Sequence, residues 1–299
     1  MTAEKPAVPA EVVRLYDRFT HGEMDRRAFM ERLAGLAGST AAATAMLPLL
    51  QNNYAIADTV KPDDPRLVAQ DGISIPGADA GLKGYLVAPK GGVKRPALLM
   101  IHENRGLNPH IRDMTRRGAL AGYLTLGIDA LSPEGGTPAN EDAARDMIGK
   151  VAFDVAVARC AAAVRLLAAH PQSTGKVGAM GFCWGGGMVN GIAAVEPALG
   201  AGVAYYGRQI AAEKVPGIKA ALMLHYAEKD ERINAGIPAY EAALKANSKA
   251  YEIVMHAGVD HAFNNDTNAA RYDAATAKKA WEQSLAFLAT HLGNPPPVG

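Results

Sequence analysis

Cysteine is nearly missing from the chain, with only Cys160 and Cys183 among 299 residues. Two thiols cannot build a disulfide framework, and no C-x-x-C pair or histidine-rich spacing points to dithiol redox chemistry or a zinc cage. No metal and no other cofactor is implied. Net charge is lacking as well: 31 basic and 30 acidic residues leave a formal +1. Without a long basic run or a basic patch interleaved with aromatics, there is no electrostatic case for nucleic acid, and small molecules are the expected partners. A sustained apolar run is also absent. Residues 33–54 carry no charge, but Gly35, Gly38 and Pro48 interrupt them, which makes a poor permanent membrane anchor.

What is present is enough for one sizeable core, since 49% of residues are hydrophobic and 20% charged. Its organising stretch is residues 176–189, KVGAMGFCWGGGMV. Alternating Val177, Ala179 and Met180 predict a strand, and the small residues 186–194 continue at helical spacing. Between them Gly181-Phe182-Cys183-Trp184-Gly185 has the form G-x-C-x-G, a nucleophile elbow with cysteine as the nucleophile. Such a turn lifts the sulfur above the sheet and places the Trp184 N–H at a helix N-terminus, facing any developing negative charge.

Two later strand ends carry polar residues. Residues 221–225 lead to Asp230, and residues 251–255 lead to Asp260 and His261. The order nucleophile, acid, histidine is that of α/β-hydrolases. Asp230 ends its own strand and is preferred as the acid; Asp260 competes for the role. Asp230 also reads as a helix N-cap, and His261 as an ordinary loop histidine.

These motifs, with Ile101-His102-Glu103-Asn104-Arg105-Gly106, resemble the dienelactone hydrolase family of α/β-hydrolases from about Leu67 onward. The resemblance implies a Cys183, Asp230 and His261 triad, with Glu103 holding the resting thiol until substrate displaces it. It also places the Asn104 N–H beside that of Trp184 in an oxyanion hole. The activity implied is hydrolysis of small esters or lactones. Tyr206, Phe263, Arg105 and Arg208 are candidate substrate contacts. Family members acting on dienelactone hold its carboxylate with two arginines, yet the matching neighbourhoods here read SPEGG and HAFNND. Neutral substrates are therefore expected. An inactive binding protein on the same fold is the alternative from another class. A thiol redox protein is a third reading, weakened by the lack of a resolving cysteine.

The expected organisation has four parts. Residues 1–57 read as a twin-arginine export signal, from Arg26-Arg27, the uncharged run and Ala55-Ile56-Ala57, which would send the chain to the periplasm through the export machinery. The alternative is a retained helical extension in a cytoplasmic protein, with a short solvated helix near residues 12–19. Residues 58–66 read as a linker, 67–293 as a single doubly wound α/β-hydrolase domain, mostly parallel with an antiparallel N-terminal edge, and 294–299 as a disordered tail. Cys160 lies mid-helix in an alanine-rich run, one layer and roughly 10 Å from Cys183, too far for a disulfide. Oligomeric state is not legible.

Overall fold

The structure, a computed structural model, describes residues 8–299. Three N-terminal helices, α1 (Ala10–Thr20), α2 (Arg26–Ala37) and α3 (Thr40–Leu50), precede β1 (Leu67–Ser74), β2 (Lys83–Pro89) and β3 (Arg95–Ile101). Then follow α4 (Pro109–Leu120), β4 (Leu124–Asp129), α5 (Glu141–Ile148), α6 (Phe153–Ala169), β5 (Ser173–Phe182) and α7 (Trp184–Val195). The remainder is β6 (Leu199–Tyr205), β7 (Ala221–Ala227), α8 (Glu231–Asn234), α9 (Ile237–Ala246), β8 (Tyr251–His256) and α10 (Ala274–Leu292).

The eight strands form one sheet in the order β1-β2-β4-β3-β5-β6-β7-β8. Only β2 runs against its neighbours, and from β4 to β8 every pairing is parallel. Central strands of such a sheet are covered on both faces, which is why β3, β5 and β7 read as nearly continuous apolar runs. One face packs Ile111 and Met114 of α4 and Phe287 and Leu288 of α10. The other packs Cys160 and Val164 of α6, Val189 and Ile192 of α7, and Leu244 of α9. Residues 141–169 form two helices, because Gly149 ends α5 and α6 restarts at Phe153. The strand before His261 is not a buried one: β8 is the sheet edge, and most of its residues are half-exposed or exposed.

The N-terminal helices are not a solvated appendage. Val12, Val13, Leu15, Tyr16 and Phe19 repeat at helical spacing and are all buried. They pack with Phe29, Leu33, Ala43 and Leu50, and with Ala270 of the main domain; the rings of Phe19 and Phe29 stack 4.5 Å apart. Asp25 caps α2 by accepting from the Ala28 N–H, and Ser39 caps α3 by accepting from that of Ala42. Polar bonds fasten the module to three parts of the main domain. Asn104 Nδ2 donates to Thr20 O at 2.7 Å, Asn268 Nδ2 to Leu50 O at 2.7 Å, and Arg26 reaches Asp142 at 2.6 Å. Among the described residues no single helix is long and apolar enough to cross a membrane.

Two further expectations are corrected. The supposed linker is stitched to α4, since the Val60 N–H donates to Asp113 and Arg116 holds both Val60 O and Asp58. The tail is ordered as far as Pro297, because buried Arg95 donates to the carbonyls of Pro296 and Pro297. An internal guanidinium needs acceptors, and the proline-rich tail supplies them.

Candidate active site

Cys183 sits where β5 turns into α7, with φ 53° and ψ −113°. For a residue with a Cβ this backbone is strained, typically by about 1–3 kcal/mol, and the surroundings must hold it there. They do so at close range. A Cβ on Gly181 would lie 2.2 Å from Gly185 O, and one on Gly185 would lie 2.4 Å from Ile101 O. Both flanking positions therefore demand glycine, and the start of α7 is pressed against the end of β3. Trp184 and Asn104 line the same cavity as Cys183.

Asp230 and His261 meet across the ends of β7 and β8. His261 Nδ1 lies 2.5 Å from Asp230 Oδ2, and both side chains are almost fully buried. The other carboxylate oxygen of Asp230 accepts from the Ile233 N–H at 3.3 Å, so the acid caps α8 as well as orienting the ring. Asp230, and not Asp260, is the partner of His261. The second ring nitrogen, His261 Nε2, is buried without a formed hydrogen bond, and the His261 ring offers a nitrogen within 4.8 Å of the sulfur.

Sequence reasoning missed the group in direct contact with the thiol. His21, one residue beyond α1, places Nε2 3.3 Å from Cys183 Sγ. Its Nδ1 is 2.7 Å from Asp17 O and 3.4 Å from Asp17 Oδ1. The imidazole is thus locked by an oxygen on one side and points the other nitrogen at sulfur. Nothing in the spacing could have signalled it, because 162 residues separate the two partners. His21, Cys183 and His261 offer three donor atoms within 4.8 Å, a set that a borderline cation such as zinc accepts.

Charge dominates the chemistry of this cluster. Burial alone would raise the Cys183 pKa, but the charges of His261 and then His21, with the His21 hydrogen bond, outweigh it and hold the thiol at about 6. Burial would lower His261, yet Asp230, Cys183 and Asp17 push it up to about 10. His21 behaves likewise: burial opposes, but Cys183 and Asp17 raise it to about 9. Asp17 resists its own burial through His261, His21 and Arg271, and stays well below the usual carboxylate range. The lowered thiol and the raised imidazoles shift in the same sense, favouring a thiolate beside imidazolium groups over a neutral thiol beside neutral rings.

The other sequence candidates separate. Glu103 is buried, but its carboxylate accepts from Asn265 Nδ2 at 2.9 Å instead of contacting the thiol. The Asn265 amide is oriented for this by Thr267, whose N–H and hydroxyl both donate to Asn265 Oδ1. Arg105 is buried and turned away, donating to Glu141 O at 2.8 Å. Phe263 is wholly buried behind the site, edge-on to Tyr206. Tyr206 and the exposed Arg208 do border the cavity of about 730 Å³, together with His21, Cys183, Trp184 and His261. The Tyr206 ring lies 4.8 Å from that of His261, and Trp184 stacks on His102 at 5.1 Å. Cys160 is fully buried in α6, its thiol pushed up to about 12 by burial, and both cysteines are free.

Known proteins resemble the chain in the same regions. A "Putative carboxymethylenebutenolidase" of Salmonella typhi is 30% identical over 236 residues, covering 74% of this chain and 87% of its own length. A "Probable 2-oxo-3-(5-oxofuran-2-ylidene)propanoate lactonase" of Bradyrhizobium is 28% identical, covering 75% of this chain and 98% of its own. Among solved structures, a "Putative Dienelactone Hydrolase" of Klebsiella pneumoniae superposes with a TM-score of 0.67 at 27% identity, covering 75% of this chain and 98% of its own. The profile of a YqhI-like family matches residues 2–38, and that of the dienelactone hydrolase family matches residues 82–292. Since the second match runs from the start of β2 to the end of α10, the chain belongs to the dienelactone hydrolase family and is a hydrolase of that kind.

Proposed function

We propose that the enzyme cleaves small carboxylic esters or lactones through a thioester on Cys183. The observation that carries this reading is the sulfur itself, held on a strained turn with a lowered pKa and faced by an Asp230-oriented histidine. The thiolate attacks the carbonyl carbon, and the resulting oxyanion is met by the N–H groups of Trp184 and Asn104. As the C–O bond breaks, the leaving alkoxide takes the proton from His261 Nε2. Neutral His261 then removes a proton from water, water attacks the thioester, and the sulfur departs as thiolate. Amides are poor substrates on this scheme, because thiolate leaves more readily than an amine. The lactonase name of the Bradyrhizobium relative agrees with a cyclic ester as one substrate class.

The test is a series of p-nitrophenyl esters and lactones of graded acyl length, assayed with the wild type and with Cys183→Ala. Loss of turnover in the variant is expected, with iodoacetamide labelling Cys183 and sparing Cys160 in the native protein. Undiminished turnover in Cys183→Ala would overturn the scheme, and no turnover by either protein would return the inactive-fold reading.

A further inference from the structure

The hydrolase fold needs one histidine at its nucleophile, and here there are two, from opposite ends of the chain. We infer that His21, delivered by the N-terminal helices, is a second catalytic residue, which holds Cys183 as thiolate at rest and receives it again when the thioester is hydrolysed. This rests on the thioester reading above.

The need for a second imidazole follows from the deacylation step. Water must lose a proton to a neutral base while the C–S bond breaks and negative charge returns to sulfur. One ring cannot be a neutral base and a positively charged partner at once. After acylation His261 has given its proton to the leaving alkoxide, so it is the base. His21 still carries its Nε2–H, 3.3 Å from the sulfur, and meets the returning charge. The bookkeeping closes: water's proton ends on His261 Nε2, its hydroxyl on the acyl carbon, and the C–S electron pair on Sγ.

The local structure supports a working residue and not a chance contact. The Asp17 carbonyl accepts from both the backbone N–H and Nδ1 of His21, which fixes the ring and its tautomer. The end of α1 is itself tied to the catalytic loops: Asn104 holds Thr20 O, and Arg271 Nη1 lies 3.3 Å from Asp17 Oδ1. The rings of His21 and His261 meet edge-on at 4.8 Å, flanking the thiol without closing the cavity beside it. The charged and titratable groups facing this cluster come from several elements. Asp17 lies on α1, Asp230 before α8, Arg232 on α8, Arg271 in the loop after β8 and Tyr206 after β6, while Glu23, Arg145 and Arg208 stand on the cavity wall. The nearest carboxylate to His21 is Asp17, which favours its charged form.

The experiment compares wild type with His21→Gln, which keeps a neutral N–H donor of similar size, and with His21→Ala. Iodoacetamide alkylation of Cys183 is followed from pH 5 to 9.5, and a p-nitrophenyl ester burst is followed at pH 7. In both variants the alkylation midpoint is expected to rise by at least one unit from about 6. The rate should fall at least about threefold at pH 6.5 and little at pH 9. Turnover should fall about tenfold with a burst of one nitrophenolate per enzyme, as acyl-enzyme accumulates. Added imidazole should restore His21→Ala in part, which no loss of packing would allow. Alkylation profiles that superimpose, with no burst and no imidazole rescue, would overturn the inference. So would N-terminal sequencing of the native protein that finds residues 1–57 removed, the outcome of the competing export proposal. Because alkylation needs no substrate, it stands whether or not the esterase reading survives its own test.

Discussion

Replacing Asp230 by asparagine separates two jobs that one carboxylate performs. Oδ1 caps α8 through the Ile233 N–H, and an amide oxygen accepts that bond equally well. Oδ2 holds His261 Nδ1 at 2.5 Å, and there the charge is lost. A hydrogen bond to a charged group contributes roughly 1.5–3 kcal/mol, and each 1.4 kcal/mol is about tenfold in rate, so the bond alone predicts a fall of about 10- to 100-fold in kcat/KM. An amide NH₂ turned toward the ring would also favour the wrong tautomer, which deepens the loss to about 100-fold or more. Stability should fall at neutral pH even though the cap survives, because the charge that favours the His261 imidazolium is gone. Its alkaline dependence should change. His261 is raised to about 10, so its contribution is fully present below the ordinary histidine pKa near 6.5 and is lost as pH rises toward 10. In Asp230→Asn that loss shrinks and the stability curve flattens above pH 7. Steady-state kinetics beside thermal melts from pH 6 to 10 provide the check. A variant retaining more than half of wild-type kcat/KM, or one that melts no lower than wild type at pH 7, would refute the division of roles.

Glu103→Gln should leave the alkylation profile of Cys183 within a few tenths of a pH unit of wild type, because the carboxylate bonds Asn265 and the thiol bonds His21. A shift of a full unit would restore the glutamate to the thiol. Arg208→Ala should lower kcat/KM for a carboxylate-bearing lactone by about tenfold, the worth of one charged contact, and leave its neutral methyl amide nearly unchanged. Equal loss on both would make Arg208 a packing residue. The wild type should still prefer the neutral partner of that pair, since Arg105 is committed to Glu141.

The central sheet was legible because β3, β5 and β7 are nearly continuous apolar runs, and the amphipathic helices between have their own period. The elbow was legible for a steric reason: only glycine fits at Gly181 and Gly185, so the pattern records the turn directly. Asp230 and His261 were legible as residues at strand ends, where this fold collects its site. The side-chain directions were not. Whether Glu103 faces sulfur or Asn265 is decided by Thr267 fixing an amide 162 residues away. The role of residues 10–50 was hidden for a different reason. Their charges, twin arginine and uncharged run form a pattern shared with export signals, whereas the buried stripe of α1 and the stacking of Phe19 on Phe29 depend on tertiary packing. His21 had no local signal at all, since its meaning depends on where the helix docks.

The measurement that bears most directly on the central claim is mass spectrometry of enzyme quenched in acid during turnover of a p-nitrophenyl ester. The thioester scheme predicts a mass increase of one acyl group, mapped by peptide digestion to Cys183, released by hydroxylamine and absent in Cys183→Ala. An acyl group on another residue, or turnover through Cys183→Ala at the wild-type rate, would contradict it.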